Sequence, residues 1–124
     1  MIIRRLEDVK SVDWGNGQSR RFLLEADGMG YTLTDTIVKA GTKSRIQYRR
    51  HLEACYCIEG GGSVTGADGT TYPIEPGTIY ALDRHDMHFL VAAPETDMRL
   101  VCVFSPPLQG DERHSFDSDE FSQY

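Results

Sequence analysis

Two side chains that commonly bind divalent cations stand inside strongly patterned segments of this sequence. Glu53 lies in GTKSRIQYRRHLEACYCIEG, residues 41–60, and His88 ends the stretch GTIYALDRHDMH, residues 77–88. A carboxylate and an imidazole suit a borderline cation such as Fe(II) or Zn(II), which needs about three protein ligands if it is to keep a position open for a substrate. The sequence therefore predicts a metal centre whose third ligand has to be found elsewhere.

Three residues compete for the place of the third ligand. Tyr80 stands eight residues before His88, and a bound cation can lower the pKa of a phenol from about 10 until the phenolate binds. His51 stands two residues before Glu53 and shares its face if the strand is regular. His85 stands in the polar segment DRHD, which is more typical of an exposed turn. Spacing alone leaves the choice open, and on spacing alone an ordinary core tyrosine at position 80 is preferred.

Short β-like segments must position these residues, because the chain alternates apolar with polar residues and is divided by glycine and proline. Asp68-Gly69 and Pro76-Gly77 are turn signals, and the first suits a tight hairpin. The stretch LEDVKSV is at most one or two helical turns. We predict an all-β barrel or sandwich, closed to remove its edges, with strands in RFLL, GYTLTDTIVKAG, SRIQYRR, EACYCIEG, GSVTGADGTTY, GTIYAL, HFLVAA and MRLVCVF.

The spacing resembles the two sequence motifs of cupin barrels. Five residues match these motifs in order: Gly41, Glu53, Gly60, Gly77 and His88. The two histidine positions of the first motif hold Gln47 and Arg49, neither of which is a good metal ligand. The Pro, Gly and Asn positions of the second motif hold Asp83, His85 and Ala92. We therefore predict a single-domain, antiparallel, jelly-roll-like cupin barrel with little helix, which has either lost its metal or rebuilt the site.

Composition excludes several classes of partner. A chain of 124 residues with 40% hydrophobic content has room for one core. A formal net charge of −6 disfavours nucleic acid and anionic membranes, and the apolar runs are far shorter than the roughly 20 residues of a membrane span. Cys55, Cys57 and Cys102 cannot all pair, which fits reduced thiols. We expect a cytoplasmic protein.

Longer segments resemble the ectoine synthase family of the cupin superfamily from Met1 to about His114, namely DGMGYTLTDTIVKAGT, HLEACYCIEGGG, YPIEPGTIYALDRHDMHFL and DMRLVCVFSPPLQGDERH. The resemblance implies an iron site, Fe(II) with Zn or another divalent metal as alternatives, formed by Glu53, Tyr80 and His88. It also implies substrate contacts at Arg21, Thr36, Tyr48, Cys102, Phe104, Glu112 and His114. Without the resemblance, Cys102 and Phe104 would be read as ordinary core residues.

The activity implied is the dehydrative ring closure of N-γ-acetyl-L-2,4-diaminobutyrate to ectoine, a lyase reaction in compatible-solute biosynthesis under osmotic stress. Glu112 and His114 would move protons, with Tyr48 as a further catalytic residue, while Arg21 would clamp the substrate carboxylate. One alternative is a related cyclase or hydrolase for another N-acylated diamino acid. Another is a cupin that binds a small molecule without turnover.

The organisation of the chain follows from the same resemblance. We expect the barrel in residues 1–110 and a carboxy-terminal tail in residues 111–124, which composition alone predicts to be solvated and disordered. The positions of Glu112 and His114 make this tail a candidate lid over the active site. The family and small cupins in general are commonly dimers, so a homodimer is expected, with the apolar residues Ile2, Ile3 and Leu6 near a surface that could cross to a partner.

Three features set this sequence apart from its family. Gly17 stands two residues before SRR, where members usually carry a tryptophan, and Trp14 lies three residues upstream. Thr34 stands where asparagine or histidine is common, and the end of the chain is altered. A separate point concerns strand geometry around Tyr48. Because strict alternation cannot point Gln47, Tyr48 and Arg49 all inward, we predict a bulge or an early strand end there.

Overall fold

A computed structural model describes residues 1–116, 121, 122 and 124. Helix in these residues is limited to two short 3-10 turns, Leu6–Asp8 and Glu25–Asp27. The strands are β1 (Lys10–Asp13), β2 (Gly17–Leu23), β3 (Thr32–Val38), β4 (Lys43–Ile46), β5 (Leu52–Glu59), β6 (Gly62–Gly66), β7 (Thr71–Ile74), β8 (Ile79–Leu82), β9 (His88–Ala92) and β10 (Met98–Ser105). The prediction of an all-β domain with little helix is confirmed. None of the helices in the described residues is long and apolar enough to cross a membrane.

The strands form two antiparallel sheets whose inner faces enclose the core. The larger sheet has the order β1-β2-β3-β10-β5-β8, and the smaller has the order β4-β9-β6-β7. Alternate residues of β10 and β9, such as Met98, Leu100 and Leu90, are buried, as expected where one face of each strand points inward. This layered arrangement is the jelly-roll form of a cupin barrel that the two motifs predict.

The register of the larger sheet places the polar core residues in two neighbouring rows. Directly opposed residues of β3, β10, β5 and β8 form the first row, which consists of Thr34, Cys102, Cys55 and Tyr80. The next row consists of Thr32, Phe104, Glu53 and Leu82. Because residues two apart on a strand share a face, both rows point into the interior. A single patch of the inner surface therefore carries a carboxylate, a phenol and two thiols.

Strand β4 ends early, at Ile46, and this resolves the predicted conflict around Tyr48. Residues 47–51 follow as irregular chain, in which Tyr48 is buried and Arg49 is exposed. The Gln47 side chain donates a hydrogen bond to the carbonyl of His85, 3.2 Å away. The two residues at the histidine positions of the cupin motif therefore lie outside the core, while the tyrosine between them points inward.

The carboxy-terminal tail packs on the barrel wherever it is described. His114 is buried, and its amide donates to the carbonyl of Trp14. Ser122 is also buried and forms an isolated parallel bridge with Ile46 of β4. The expectation from composition, a solvated end, is wrong for these residues, because the tail supplies apolar and aromatic side chains to an open edge of the core. Residues 117–120 and 123 of the predicted tail lie outside the described residues.

Candidate active site

A cavity opens between the two sheets and contains the predicted metal ligands. Its volume is about 30 Å³. Glu53, Tyr80 and His88 all lie in its wall. The remaining lining residues are Trp14, Ser19, Thr36, Val38, Ile46, Tyr48, Cys55, Leu90, Leu100, Cys102, Phe104 and Tyr124. The cavity is thus lined largely by apolar and aromatic side chains with a few polar groups, as is typical of small-molecule sites.

The three predicted ligands reach the cavity from three strands. Glu53 on β5 has Leu82 as its direct neighbour on β8, so Tyr80 is its diagonal neighbour, within reach of a long side chain. His88 begins β9 on the opposite sheet, and its ring centroid lies 6.5 Å from that of Tyr80. The Nδ1 atom of His88 lies 3.0 Å from the carbonyl oxygen of Asp86 and donates to it. The Nε2 atom is therefore left with its lone pair, as in a metal-binding histidine.

Burial favours the uncharged form of each of these groups. Burial raises the pKa of Glu53 to about 8, although hydrogen bonds from the thiols of Cys55 and Cys102 lower it in part. Burial also raises the pKa of Tyr80 well above its ordinary value and lowers that of His88. A divalent cation would reverse the first two preferences, because its charge stabilises carboxylate and phenolate. The donor set of one carboxylate, one phenol and one neutral imidazole fits such a cation.

The two rival ligands lie elsewhere. The Nδ1 atom of His51 is 2.8 Å from the carbonyl oxygen of Pro106, and the residue lines a groove outside the cavity. This outer groove is formed by Glu25, Arg50, His51, Pro106, Pro107, Gln109, Glu112 and Tyr124. His85 is exposed, has a positive φ of 54°, and contacts the carbonyl oxygen of Tyr48 through Nδ1. The geometry thus favours Tyr80 over both histidines as the third ligand.

Four of the predicted substrate contacts lie in the cavity wall: Thr36, Tyr48, Cys102 and Phe104. The Thr36 hydroxyl is 2.8 Å from that of Thr34, which is fully buried beside Cys102. The rings of Tyr48 and Phe104 meet edge to face with centroids 5.3 Å apart. These contacts fix the side chains in place, which gives the wall a defined shape before any ligand enters.

Arg21 lies behind the cavity wall, and its donors are already engaged. Its side chain is fully buried. The guanidinium donates to the carbonyl oxygens of Gly110 and Glu112 and to the hydroxyl of Ser19. A further contact joins it to the Glu112 carboxylate at 3.5 Å. In this conformation Arg21 holds the loop after β10 against β2.

Glu112 sits in the outer groove rather than in the cavity. Its carboxylate accepts hydrogen bonds from the amides of Gln109 at 2.7 Å and Gly110 at 2.8 Å. Burial raises its pKa, but these amide donors and the charge of Arg21 lower it further, so the net pKa lies below the ordinary value. Glu112 is therefore ionised at neutral pH and able to accept a proton. Tyr124 lines both the groove and the cavity, and separates the two.

His114 contacts the cavity through Tyr48. Its Nε2 atom lies 3.0 Å from the Tyr48 hydroxyl, and its Nδ1 atom lies 2.9 Å from the hydroxyl of Ser122. The ring of Tyr124 stacks on the imidazole at 4.2 Å. Burial, together with the charges of His88 and Arg21, lowers the pKa of His114 to about 3. The ring is neutral at physiological pH, with one nitrogen able to accept a proton.

Among the lining residues that were not predicted, two are aromatic, Trp14 and Tyr124. The indole nitrogen of Trp14 donates to the carbonyl oxygen of Ile37 at 2.9 Å and lies over Gly17. A Cβ atom on Gly17 would overlap with that same carbonyl oxygen, so no side chain fits there. The tryptophan shifted by three residues was the signal for Trp14, but Tyr124 follows a polar, acidic stretch that gives no sign of burial.

The comparisons with known proteins agree with this geometry. The sequence profile described as "Ectoine synthase" matches residues 1–121. An L-ectoine synthase of Halalkalibacterium halodurans is 55% identical over 92% of this chain and 91% of its own. The crystal structure of an ectoine synthase from P. lautus superposes with a TM-score of 0.82 at 48% identity, covering 89% of this chain and 81% of that one.

More distant structures share only the fold. An RmlC-like cupin from Shewanella frigidimarina has a TM-score of 0.69 at 21% identity, covering 84% of this chain and 89% of its own. The cupin barrel predicted from the two glycine-bounded motifs is thereby confirmed. With a profile match over almost its whole length and relatives near half identity, the chain belongs to the ectoine synthase family.

Proposed function

We propose that this protein is an ectoine synthase, a carbon–oxygen lyase that closes the ring of N-γ-acetyl-L-2,4-diaminobutyrate. In this reaction the α-amine forms a bond to the acetamide carbon, and the carbonyl oxygen leaves as water. The observation that carries the proposal is the meeting of Glu53, Tyr80 and His88 in one small cavity of a chain that belongs to this family. Once it has opened to admit a flexible substrate, such a cavity would hold that substrate near its cyclic geometry, which lowers the entropic barrier.

The proposed cofactor is a divalent cation held by Glu53, Tyr80 and His88, with Fe(II) as the first choice and Zn(II) as an alternative. Such an ion, when bound, supplies Lewis-acid polarisation. The protein contributes a fixed His88 tautomer through the carbonyl of Asp86 and a shielded, low-dielectric wall. No redox change is needed for the ring closure. A metal analysis of purified protein, with Glu53→Gln as a comparison, tests the assignment.

Proton transfer is proposed to use Tyr48, His114 and Glu112. The Tyr48 hydroxyl lies in the cavity wall and is hydrogen-bonded to Nε2 of His114, so in the tautomer that carries its proton on Nε2, a proton given to the departing oxygen by Tyr48 is replaced from that nitrogen. Glu112 is ionised but lies in the outer groove beyond Tyr124. It can take the α-ammonium proton where the substrate enters. The same nitrogen loses a second proton after it has bonded to the acetamide carbon, and the Tyr48–His114 pair takes that proton.

Arg21 has a different role in this proposal from the clamp that the resemblance implies. Its guanidinium is engaged with the carbonyl groups of Gly110 and Glu112. We therefore assign it the positioning of the loop that carries Glu112, with contact to the substrate carboxylate only if those bonds are exchanged. Thr36 and Cys102 offer polar contacts, while Phe104 forms the apolar wall.

The tail in residues 111–124 is proposed to cover the mouth of the barrel. His114, Ser122 and Tyr124 pack against the core, and Tyr124 stands between the cavity and the outer groove. Entry of a substrate would then require Tyr124 to move, and its return would exclude water.

The test is turnover of the acetylated diamino acid by metal-loaded protein, followed by NMR of the cyclic product. Metal-stripped protein and a Glu53→Gln variant serve as controls. A protein that cyclises the N-acetyl compound faster than its N-propionyl analogue, or than the isomer acetylated on the α-nitrogen, supports the proposed substrate. Hydrolysis without ring closure would favour the alternative of a hydrolase. Tight binding without any product would favour a binding protein.

A homodimer is also proposed. Ile2 and Ile3 at the start of the chain are 45% and 82% exposed, and Tyr56 and Ile79 on the outer face of the larger sheet are 45% and 63% exposed. A second copy that covered either group of apolar residues would remove their unfavourable contact with water. Light scattering at micromolar concentration should give about twice 14.0 kDa.

The free thiols of all three cysteines support a reducing, cytoplasmic setting.

A further inference from the structure

Two buried thiols lie beside the carboxylate of Glu53. Cys55 on β5 and Cys102 on β10 are directly opposed in the sheet, and Glu53 is two residues before Cys55 on the same face. The two Sγ atoms and a carboxylate oxygen of Glu53 all lie within 4.8 Å of one another. The three residues are 1%, 2% and 8% exposed. A compact group of three ligand atoms is therefore held rigidly by adjacent strands.

The spacing of this group suits a small tetrahedral cation. With metal–sulfur bonds of about 2.3 Å, two thiolates on one tetrahedral ion stand roughly 3.8 Å apart. The observed upper limit of 4.8 Å is about 1 Å longer, a difference that small side-chain rotations on a fixed backbone can remove. The three atoms would leave a fourth position facing the cavity, where water could bind.

The chemistry of these ligands differs from that of the proposed iron site. A pair of thiolate ligands selects a thiophilic ion such as Cd(II), whereas carboxylate, phenolate and imidazole suit a borderline ion such as Fe(II) or Zn(II). We propose that Glu53, Cys55 and Cys102 form a second metal site, here called the thiolate site, for a thiophilic divalent cation. Binding releases both thiol protons to solvent and forms two metal–sulfur bonds, with no change of oxidation state.

Glu53 belongs to both ligand sets, and this has a consequence for turnover. An ion in the thiolate site takes the Glu53 carboxylate away from the set completed by Tyr80 and His88. The two sites therefore exclude each other, and thiophilic ions act as inhibitors. This consequence rests on the proposed function, whereas binding to the thiolate site does not.

Cys57 provides a matched control on the same strand. It is fully buried and shares the inward face of β5 with Cys55. Its thiol is directed to the carbonyl oxygen of Glu59 at 3.4 Å. Replacement of Cys57 by alanine thus removes a buried thiol of the same strand without touching the thiolate site.

The experiment titrates Cd(II) into the metal-stripped, full-length protein and follows the ultraviolet band of thiolate-to-metal charge transfer. Wild type and Cys57→Ala are expected to saturate at one ion per chain with equal intensity. Cys55→Ala and Cys102→Ala should each lose about half of the band, because one of two thiolates is gone, and bind at least 10-fold more weakly. Circular dichroism verifies folding, and the serine variant at the same position replaces any alanine variant that fails this check. A full band in folded Cys55 variants, or an equal loss in Cys57→Ala, would overturn the proposal.

A second measurement separates this inference from the proposed reaction. Iron-loaded protein is exposed to Cd(II), and iron and cadmium per chain are measured after gel filtration. Loss of iron in wild type but not in Cys55→Ala supports shared use of Glu53, and simultaneous retention of both ions refutes it. If the protein binds Cd(II) through both thiols yet never cyclises the substrate, the thiolate site stands while the proposed function fails. If it cyclises the substrate but gives no charge-transfer band, the reverse holds.

Discussion

The buried imidazole of His114 should make the protein sensitive to acid. Burial, with the charges of His88 and Arg21, lowers the pKa of His114 from 6.5 to about 3 in the folded protein. Between these two values the unfolded chain binds a proton that the folded protein does not. The contribution of His114 to the free energy of unfolding therefore falls as the pH drops below 6.5, and this loss ends only near pH 3. Replacing His114 with glutamine, which does not titrate, should remove this loss.

The two pKa values give the size of the effect. The full difference of about 3.5 corresponds to roughly 5 kcal/mol, reached only below pH 3. At pH 5, where the unfolded imidazole is almost fully protonated, the same linkage relation gives a loss of about 2 kcal/mol relative to pH 8. With a urea dependence of about 2 kcal/mol per molar, this contribution of His114 alone lowers the urea concentration at the unfolding midpoint by about 1 M.

The measurement compares urea unfolding at pH 8 and pH 5 for wild type and His114→Gln. The comparison is needed because, in metal-free protein, the titration of Glu53 changes the free energy of unfolding in the opposite direction. Its pKa is raised to about 8, so the folded protein gains stability as the pH falls from 8 towards 4.5. This contribution is common to both proteins and cancels in the difference. The variant should therefore be favoured by about 2 kcal/mol more at pH 5 than at pH 8, relative to wild type.

A second non-titrating variant, His114→Asn, separates the proton from the packing. Both variants lose part of the contacts with Tyr48, Ser122 and Tyr124, so both can be less stable at pH 8. Their stability should nevertheless change with pH in the same way. If wild type and both variants share one pH dependence within about 0.5 kcal/mol, the imidazole titrates normally in the folded state, and the reasoning from burial is refuted.

Three further outcomes are expected. His88→Ala should lose bound metal while keeping the circular dichroism spectrum of the barrel, and metal retained at wild-type stoichiometry would contradict the assignment of His88 as a ligand. Gly17→Ala should lower the free energy of unfolding by about 2–4 kcal/mol, because its Cβ would overlap with the carbonyl of Ile37; an unchanged urea midpoint would disprove the clash. Glu112→Ala should reduce turnover by about 10²-fold with metal content unchanged, and a smaller effect would remove it from proton transfer.

The fold, and the presence of the proposed ligands in one cavity, could be predicted because both depend on local spacing. Two glycine-bounded motifs identify the strands that carry Glu53 and His88, and alternation along β5 and β8 then decides which neighbours face inward. Tyr80 needed more than spacing, since a phenol in a core strand is ordinary. The family resemblance made it the proposed ligand, and the diagonal register with Glu53 explains how it reaches the cavity.

The arrangement around the mouth of the barrel could not be predicted, because it depends on contacts between distant segments. Arg21 is 91 residues from Glu112 in sequence, yet it binds that loop through backbone carbonyls, which have no sequence signature. Tyr124 lies at the end of an acidic stretch but is inserted beside His114. In both cases composition predicts a solvated charge or a solvated end, and tertiary contacts override it.

The relation between Trp14 and Gly17 shows why a departure from a family pattern is not by itself a change of function. When the sequence is aligned with the family, Gly17 stands where members usually carry a tryptophan, so an aromatic side chain is missing from the substrate end of the site. In three dimensions the backbone at Gly17 passes so close to Ile37 that no side chain fits, and the indole of Trp14 lies over this place and lines the cavity. The hairpin between β1 and β2 thus supplies the aromatic side chain of the cavity wall from a different position in the chain, Trp14. Because this aromatic wall is preserved, we expect the substrate to be preserved as well. Any difference in specificity would then depend on Thr34 and Tyr124 rather than on the missing tryptophan.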